Sequence, residues 1–225
     1  MVALSCIIPA YNEAERIGAV LDVVTRHPLI DEIIVVDDGS ADNTACIAME
    51  FDSVHVIVKA ANRGKSSAVC DGIRASCGSM LLLLDADLVG LSADQLTNLI
   101  APVMEGLADF SISLRGNALP PWKWLGLDYV SGERVLHREM FAGRLEEIEA
   151  LPGFGLEVYI NKLLTTRGSR IKVVRWDGVQ SPYKCIKYGF WIGATAEVRM
   201  LRNIAQIITL SESASQINAM LRARV

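Results

Sequence analysis

With 225 residues, 51% of them apolar, the chain has material for one sizeable α/β domain carrying an appendage. Its 22 basic and 26 acidic residues leave a net charge of −4, which excludes a global pull on nucleic acid or an anionic membrane; no nucleic-acid partner is expected. The apolar windows fall short of the ~18 residues of a membrane span, no signal peptide is visible, and the five cysteines lack metal-ligand spacing, so the chain reads as a reduced, cytoplasmic protein.

Strands are expected at 3–8, 32–37, 54–58, 80–85 and 110–114, where short β-rich runs are bounded by turn residues. Between them lie helices. Over 13–25, Ile17, Val20, Leu21 and Val24 repeat at the spacing of one buried helical face. Ser92-Ala93-Asp94-Gln95 has the pattern of a capping box. Regular alternation of strand and helix argues for an α/β fold with a mostly parallel sheet covered on both faces. After Leu114, Pro120, Pro121, Trp122 and Trp124 read as a loop crossing into a second layer, followed by a helix over 156–166 and a strand over 171–174. From 194 onward, Val198, Leu201, Ile204, Ile208, Ile217, Met220 and Leu221 recur at helical spacing, interleaved with Arg199, Arg202, Arg222 and Arg224; a helix or helix pair is expected.

In a parallel sheet ligands sit beyond the carboxyl ends of the strands, and four such ends carry groups that a fold alone does not need. They are Pro9-Ala10-Tyr11-Asn12-Glu13, Asp37-Asp38-Gly39-Ser40, Asn62-Arg63-Gly64-Lys65 and Asp85-Ala86-Asp87. Asp85 and Asp87, two residues apart on an extended segment, project to the same side and offer hard oxygen ligands to one Mg²⁺ or Mn²⁺, ions that share their shell with substrate phosphates. Tyr11 offers a flat face for a base or simply packs its turn, and Asp38 can accept from base N–H groups. Glu13 is either a helix-start acid or a nucleotide contact. Lys65 opens a helix behind a glycine, where its ammonium and the free amides suit an anion. Arg115 and Arg134 can each grip a phosphate, or form ordinary ion pairs. His27, His55 and His137 share no spacing and read as ordinary surface or core residues.

Taken in order, these turns resemble family 2 glycosyltransferases, whose GT-A fold opens on a strand ending in Pro-x-Tyr-Asn-Glu and continues through Asp-Asp-Gly-Ser, Asn-x-Gly-Lys and Asp-x-Asp. Further residues resemble the dolichyl or polyprenyl-phosphate mannosyltransferase branch: Asp85-Ala86-Asp87-Leu88, the strand from Ala108 to Arg115, Asp128-Tyr129-Val130-Ser131-Gly132-Glu133-Arg134, and Phe154-Gly155-Leu156-Glu157. The chain departs from that branch at Ser66 and Val89, and Lys184 and Lys187 only loosely echo its basic carboxyl-terminal motif. The resemblance implies that 1–190 form the transferase domain, with 1–115 binding the nucleotide sugar and 116–190 the acceptor, and that 191–225 form a helical extension.

It further implies an inverting glycosyl transfer from a UDP- or GDP-linked sugar to an acceptor, expected to be a polyprenyl phosphate. Pro9, Tyr11, Asn12, Glu13, Asp38, Asn62, Lys65, Asp85 and Ala86 would bind the donor, Asp85 and Asp87 the metal, and Arg115, Ser131 and Arg134 the acceptor phosphate. Asp87, Arg134 and Glu157 are the expected catalytic residues. Glu157 either removes a proton from a hydroxyl acceptor or, if the acceptor is a phosphate, only orients the site. A lipid acceptor would bring the protein to the cytoplasmic face of a membrane through its carboxyl-terminal helices, which are equally candidates for a homodimer contact. A soluble hydroxyl or small phosphorylated acceptor is the alternative; a sugar nucleotidyltransferase or a silent sugar-nucleotide binding module are alternatives from other classes.

Overall fold

The computed structural model describes residues 3–181 and 209–225. The expectations for 194–208, and for Lys184 and Lys187, lie outside these residues. Seven strands form one sheet: β1 (Leu4–Ala10), β2 (Glu32–Asp37), β3 (Val54–Val58), β4 (Met80–Leu83), β5 (Phe110–Arg115), β6 (Arg134–His137) and β7 (Ile171–Trp176), in the order β3-β2-β1-β4-β6-β5-β7. All pairings are parallel except those of β6, which runs antiparallel to β4 and β5.

Alternation along the strands builds two cores. Cys6 and Ile8 of β1 join Leu82 of β4, α1 (Ile17–Val24) and α4 (Ala93–Met104) on one face. Ile7, Leu81 and Leu83 join α3 (Lys65–Ala75), α7 (Gly155–Arg167) and Met220 on the other. The period-two rule thus puts consecutive residues of one strand into different cores. Short helices α2 (Thr44–Met49), α5 (Pro120–Leu125) and α6 (Leu145–Glu149) complete the middle of the chain. The expected capping box forms at Ser92 and Gln95.

One element differs from expectation and another is described only over its last part. The segment expected as a loop over 117–124 contains α5, because prolines at its first positions need no amide partner there and fix a helical φ; Gly126, at φ 66°, ends it. The expected carboxyl-terminal helix appears as α8 (Leu210–Arg222), which packs on α7 with Ile217, Met220 and Leu221 in the second core. These three apolar residues of α8 are therefore packed within the chain. Beyond it the terminus pairs with β7: Ile171 N–H donates to Ala223 O at 2.9 Å and Val225 N–H to Ile171 O at 3.0 Å. Among the described residues no helix is long and apolar enough to cross a membrane.

Candidate active site

The carboxyl ends of β1, β2, β3 and β4 lie along one edge of the sheet, so the four turns come together. Side chains knit them to one another. Asn12 (φ 55°) receives the Ala41 N–H at Oδ1, 2.8 Å, and donates its own N–H to Ser40 Oγ at 2.9 Å. Glu13 N–H donates to Thr44 Oγ1 at 2.8 Å, and its carboxylate lies 3.6 Å from Arg16. Asp38 is buried and receives Arg63 N–H at 3.1 Å and Gly64 N–H at 2.7 Å, while Lys59 pairs with it at 2.8 Å. Gly39, at φ 75°, lets the second and third turns touch, since a Cβ there would stand 2.7 Å from the Ala61 carbonyl carbon.

Asn12 and Asp38 both hold one turn to the next, so a base meeting them would share oxygens that already accept or use the Asn12 amide N–H groups. The Ala86 methyl is buried in the first core, so its main chain is the part that faces a ligand. Tyr11 keeps an open face, 41% exposed, and Asn62 is exposed at the same rim. Pro9 lines the space beneath Lys65 together with Asp85, Gly132 and Glu157.

Lys65 is the hub. Its ammonium lies 2.7 Å from Asp85 Oδ1 and 2.9 Å from Glu157 Oε1, and Glu157 is 1% exposed at the first turn of α7. Burial works against the lysine's charge, but Asp85 and Glu157 outweigh it and hold its pKa above the ordinary value. Burial likewise works against ionised Asp85, yet Lys65 and then Arg115 leave it below the usual carboxylate range. Both groups are therefore charged near neutral pH. Gly132 makes the pair possible, as a Cβ there would stand 2.5 Å from Asp85 Oδ1 and 2.6 Å from Lys65 Nζ.

Asp87 accepts Ser181 Oγ–H on both oxygens at 3.0 Å, and Val89 just beyond it pairs with Gln180 through two main-chain bonds. Among the described residues no three His, Cys, Asp or Glu side chains converge as a metal cluster. Two half-buried carboxylates two residues apart, with no histidine or cysteine beside them among the described residues, suit a hard divalent ion that takes its other ligands from water and a diphosphate.

The two arginines part ways. Arg134 is 1% exposed, with Nε donating to Ser131 O, Nη1 to Glu157 O and Asn161 Oδ1, and Nη2 to Tyr129 O, at 2.7–3.2 Å. Four of its five N–H groups are given to the scaffold, so a phosphate would have to compete with those partners. Ser131 is fully buried and its hydroxyl donates to Glu133 Oε2 at 2.7 Å. Arg115 instead has one long hydrogen bond, 3.4 Å to Glu133 Oε1, an ion pair at 3.7 Å to Asp128, and a buried Nε without an acceptor. Burial opposes its charge, but Glu133, Asp85, Asp128 and Asp87 hold its pKa above the ordinary value.

Glu133, Asp128 and Gly132 carry no expected role from the sequence beyond their place in a motif. The signal for them lies in topology. Because β6 is antiparallel, its amino-terminal end meets the carboxyl ends of β4 and β5, with Arg134 opposite both Leu83 and Ile112. Residues 131–133 therefore enter the site from the opposite direction.

Known proteins share this fold. A solved structure of glucosyl-3-phosphoglycerate synthase from Mycobacterium tuberculosis, in complex with Mn²⁺, UDP and glucosyl-3-phosphoglycerate, superposes at a TM-score of 0.69 with 22% identity, over 92% of this chain and 80% of that one. That likeness shows the GT-A fold. A 4,4'-diaponeurosporenoate glycosyltransferase of Staphylococcus aureus is 37% identical over 44% of this chain and 27% of its own length. The human dolichyl-phosphate beta-glucosyltransferase is 38% identical over 37% of this chain and 31% of its own length. The matched region thus spans less than a third of either relative. The model of glycosyl transferase family 2 matches residues 5–151, the stretch that holds all four turns and the Gly132–Arg134 entry, and the chain belongs to that family.

Proposed function

We propose that the protein transfers a sugar from a nucleotide sugar to a phosphate-bearing acceptor, with a polyprenyl phosphate as the leading candidate. The observation that carries this reading is the Lys65–Asp85–Glu157 triad beside Asp87, at the edge where four strands end. The base stacks on Tyr11 at the exposed rim. Lys65 and the amides at the start of α3 meet the diphosphate, where positive charge and free N–H groups favour an anion. Asp85 and Asp87 would hold Mg²⁺ or Mn²⁺, which neutralises charge building on the departing diphosphate.

Arg115 holds the acceptor phosphate with the donors it has left over. A phosphate oxygen attacks the anomeric carbon from the side opposite the diphosphate; the new C–O bond forms as the old one breaks, and the electron pair leaves with the nucleoside diphosphate. The configuration inverts. A phosphate acceptor brings its own negative charge and needs no base, so Glu157 fixes the position of Lys65. The dolichyl-phosphate relative supports a lipid acceptor, which would place the reaction at a membrane face. Arg115 favours small phosphorylated acceptors equally, and these form the second reading.

The test is release of nucleoside diphosphate from UDP- and GDP-sugars with Mn²⁺, in the presence of polyprenyl phosphate, 3-phosphoglycerate or neither. Transfer to neither acceptor rejects the proposal; transfer only to the soluble one rejects the lipid reading. Asp87→Ala should lower turnover by roughly 100-fold or more while leaving the melting temperature unchanged. An active, metal-independent variant contradicts the assigned role.

A further inference from the structure

The region between the ends of β5 and β6 holds a fully buried carboxylate, Glu133, that the proposed reaction does not use. Its two oxygens do different work. Oε2 lies 2.6 Å from the Ser113 hydroxyl and 2.7 Å from that of Ser131, and the two hydroxyls lie 2.7 Å apart, so their two protons are shared among three short contacts. Its main chain is fixed as well, since Ser113 N–H donates to Glu133 O at 3.1 Å. With Oε2 held, Oε1 lies 3.4 Å from Arg115 Nη1, and the Glu133 carboxyl group also meets the Asp85 side chain. Ser113 and Arg115 are two apart on β5, so the residue that anchors the carboxylate and the residue that receives it share a face of the strand.

A carboxylate tied down on one side and loosely paired on the other balances a neighbour's charge without exhausting its donors. Arg134, a few ångströms of chain away, shows the contrast, with each of its nitrogens bonded to a protein acceptor at 2.7–3.2 Å. Arg115 keeps a buried Nε without an acceptor, and its ion pair to Asp128 is a long 3.7 Å. Held guanidinium with unspent N–H groups is the condition for receiving an anionic oxygen in a fork geometry. Buried carboxylates that orient a working residue from behind are as important to a site as the groups that touch substrate.

We propose that Glu133 is the positioning residue that aims Arg115 at a phosphoryl or carboxylate oxygen of the substrate. This deepens the reading above and rests on it for the identity of that oxygen as an acceptor phosphate. Glu133 touches no substrate; it acts through Arg115.

The test uses the full chain and two readouts. The first is the Nε–H signal of Arg115 in ¹⁵N NMR, assigned with Arg115→Lys and titrated with inorganic phosphate. The signal should move and saturate in the parent protein, and Glu133→Gln should weaken that response about 10-fold or more. A parent signal indifferent to phosphate overturns the proposal. The second is a double-mutant cycle on transfer to the phosphate acceptor: Glu133→Gln should raise KM for the acceptor more than it lowers kcat, and should add nothing in an Arg115→Gln background. A penalty that persists without Arg115 marks a merely structural role and also overturns it. If the NMR response behaves as stated but no sugar reaches polyprenyl phosphate or 3-phosphoglycerate, the acceptor reading falls and the positioning role stands. Should Glu133→Gln fail to fold, Ser113→Ala with Ser131→Ala, which keeps the carboxylate and frees Oε2, must weaken the phosphate response in the same direction, and an unchanged response there counts against the proposal.

Discussion

A methyl group on Gly132 would meet the ends of two flexible side chains, Asp85 and Lys65, rather than backbone. Those ends can swing aside at little cost to folding, so Gly132→Ala should unfold within a few degrees of the parent yet lose affinity for Mn²⁺ and nucleoside diphosphate by about 10-fold or more. Titration calorimetry beside a thermal melt checks this, and undiminished affinity counts against the role of the Lys65–Asp85 pair. Asp128 makes a different residue-scale prediction. Burial pushes its pKa up to about 6, with Arg115 opposing and Glu133 reinforcing the shift. In the unfolded chain an aspartate titrates near ~3.9, so between the two values the native state binds the extra proton, and stability falls as pH rises through that window. Above it the full cost of an ionised, buried Asp128 is present. Asp128→Asn should therefore gain on the parent by on the order of 2 kcal/mol between about pH 4 and pH 7. Urea midpoints at both pH values read it; a difference between variant and parent that stays flat with pH rejects the assignment.

At the scale of elements, α3 has to lie close to β1 because Lys65 at its first position must reach Asp85 and Glu157. Gly72 permits the approach: a Cβ there would stand 2.5 Å from Ile7 Cγ2 and 3.3 Å from Val36 Cγ2. Alanine would add ~1 kcal/mol of helix propensity, but the opposing atoms belong to β-branched side chains locked in a sheet, and overpacking of that kind costs ~1–3 kcal/mol. The clash should win. Gly72→Ala is expected to lose net stability in denaturant titration and to weaken nucleotide binding as Lys65 withdraws; a stabilised variant would show that α3 can shift freely. Much of this layer was legible in the chain itself. Apolar runs ending in Asp37 and Asp85 announce β2 and β4, and Ile17, Val20, Leu21 and Val24 announce α1, because burial on one or two faces forces those patterns. β6 carries no such pattern: four residues, begun by Arg134 and ended by His137, are a strand only because β4 and β5 flank them. The groups that β6 delivers, Gly132 and Glu133, were hidden for the same reason, and so were two partners of Arg134, Glu157 and Asn161, which reach it only through the packing of α7.

For the whole molecule, α8 is the piece that ties the site to the far end of the chain. Met220 is fully buried in the second core, and Gln216 Oε1 accepts the Tyr129 hydroxyl at 2.6 Å. Tyr129 in turn gives its carbonyl to Arg134 at 3.1 Å and to Asn161 at 2.9 Å, which sets the course of the loop leading to Gly132 and Glu133. Packing at the carboxyl end thus supports the side of the crevice that residues 129–134 form. Met220→Ala empties a site lined by apolar neighbours, at a cost of ~2–5 kcal/mol, whereas the hydrogen bonds at Tyr129 O are made by other elements and survive. Thermal and urea unfolding should show the loss, and the variant should still bind nucleotide well below its melting temperature. If binding disappears in the folded variant, the loop depends on α8 for its shape as well as its stability, and the hydrogen bonds of Arg134 and Asn161 are insufficient to hold it.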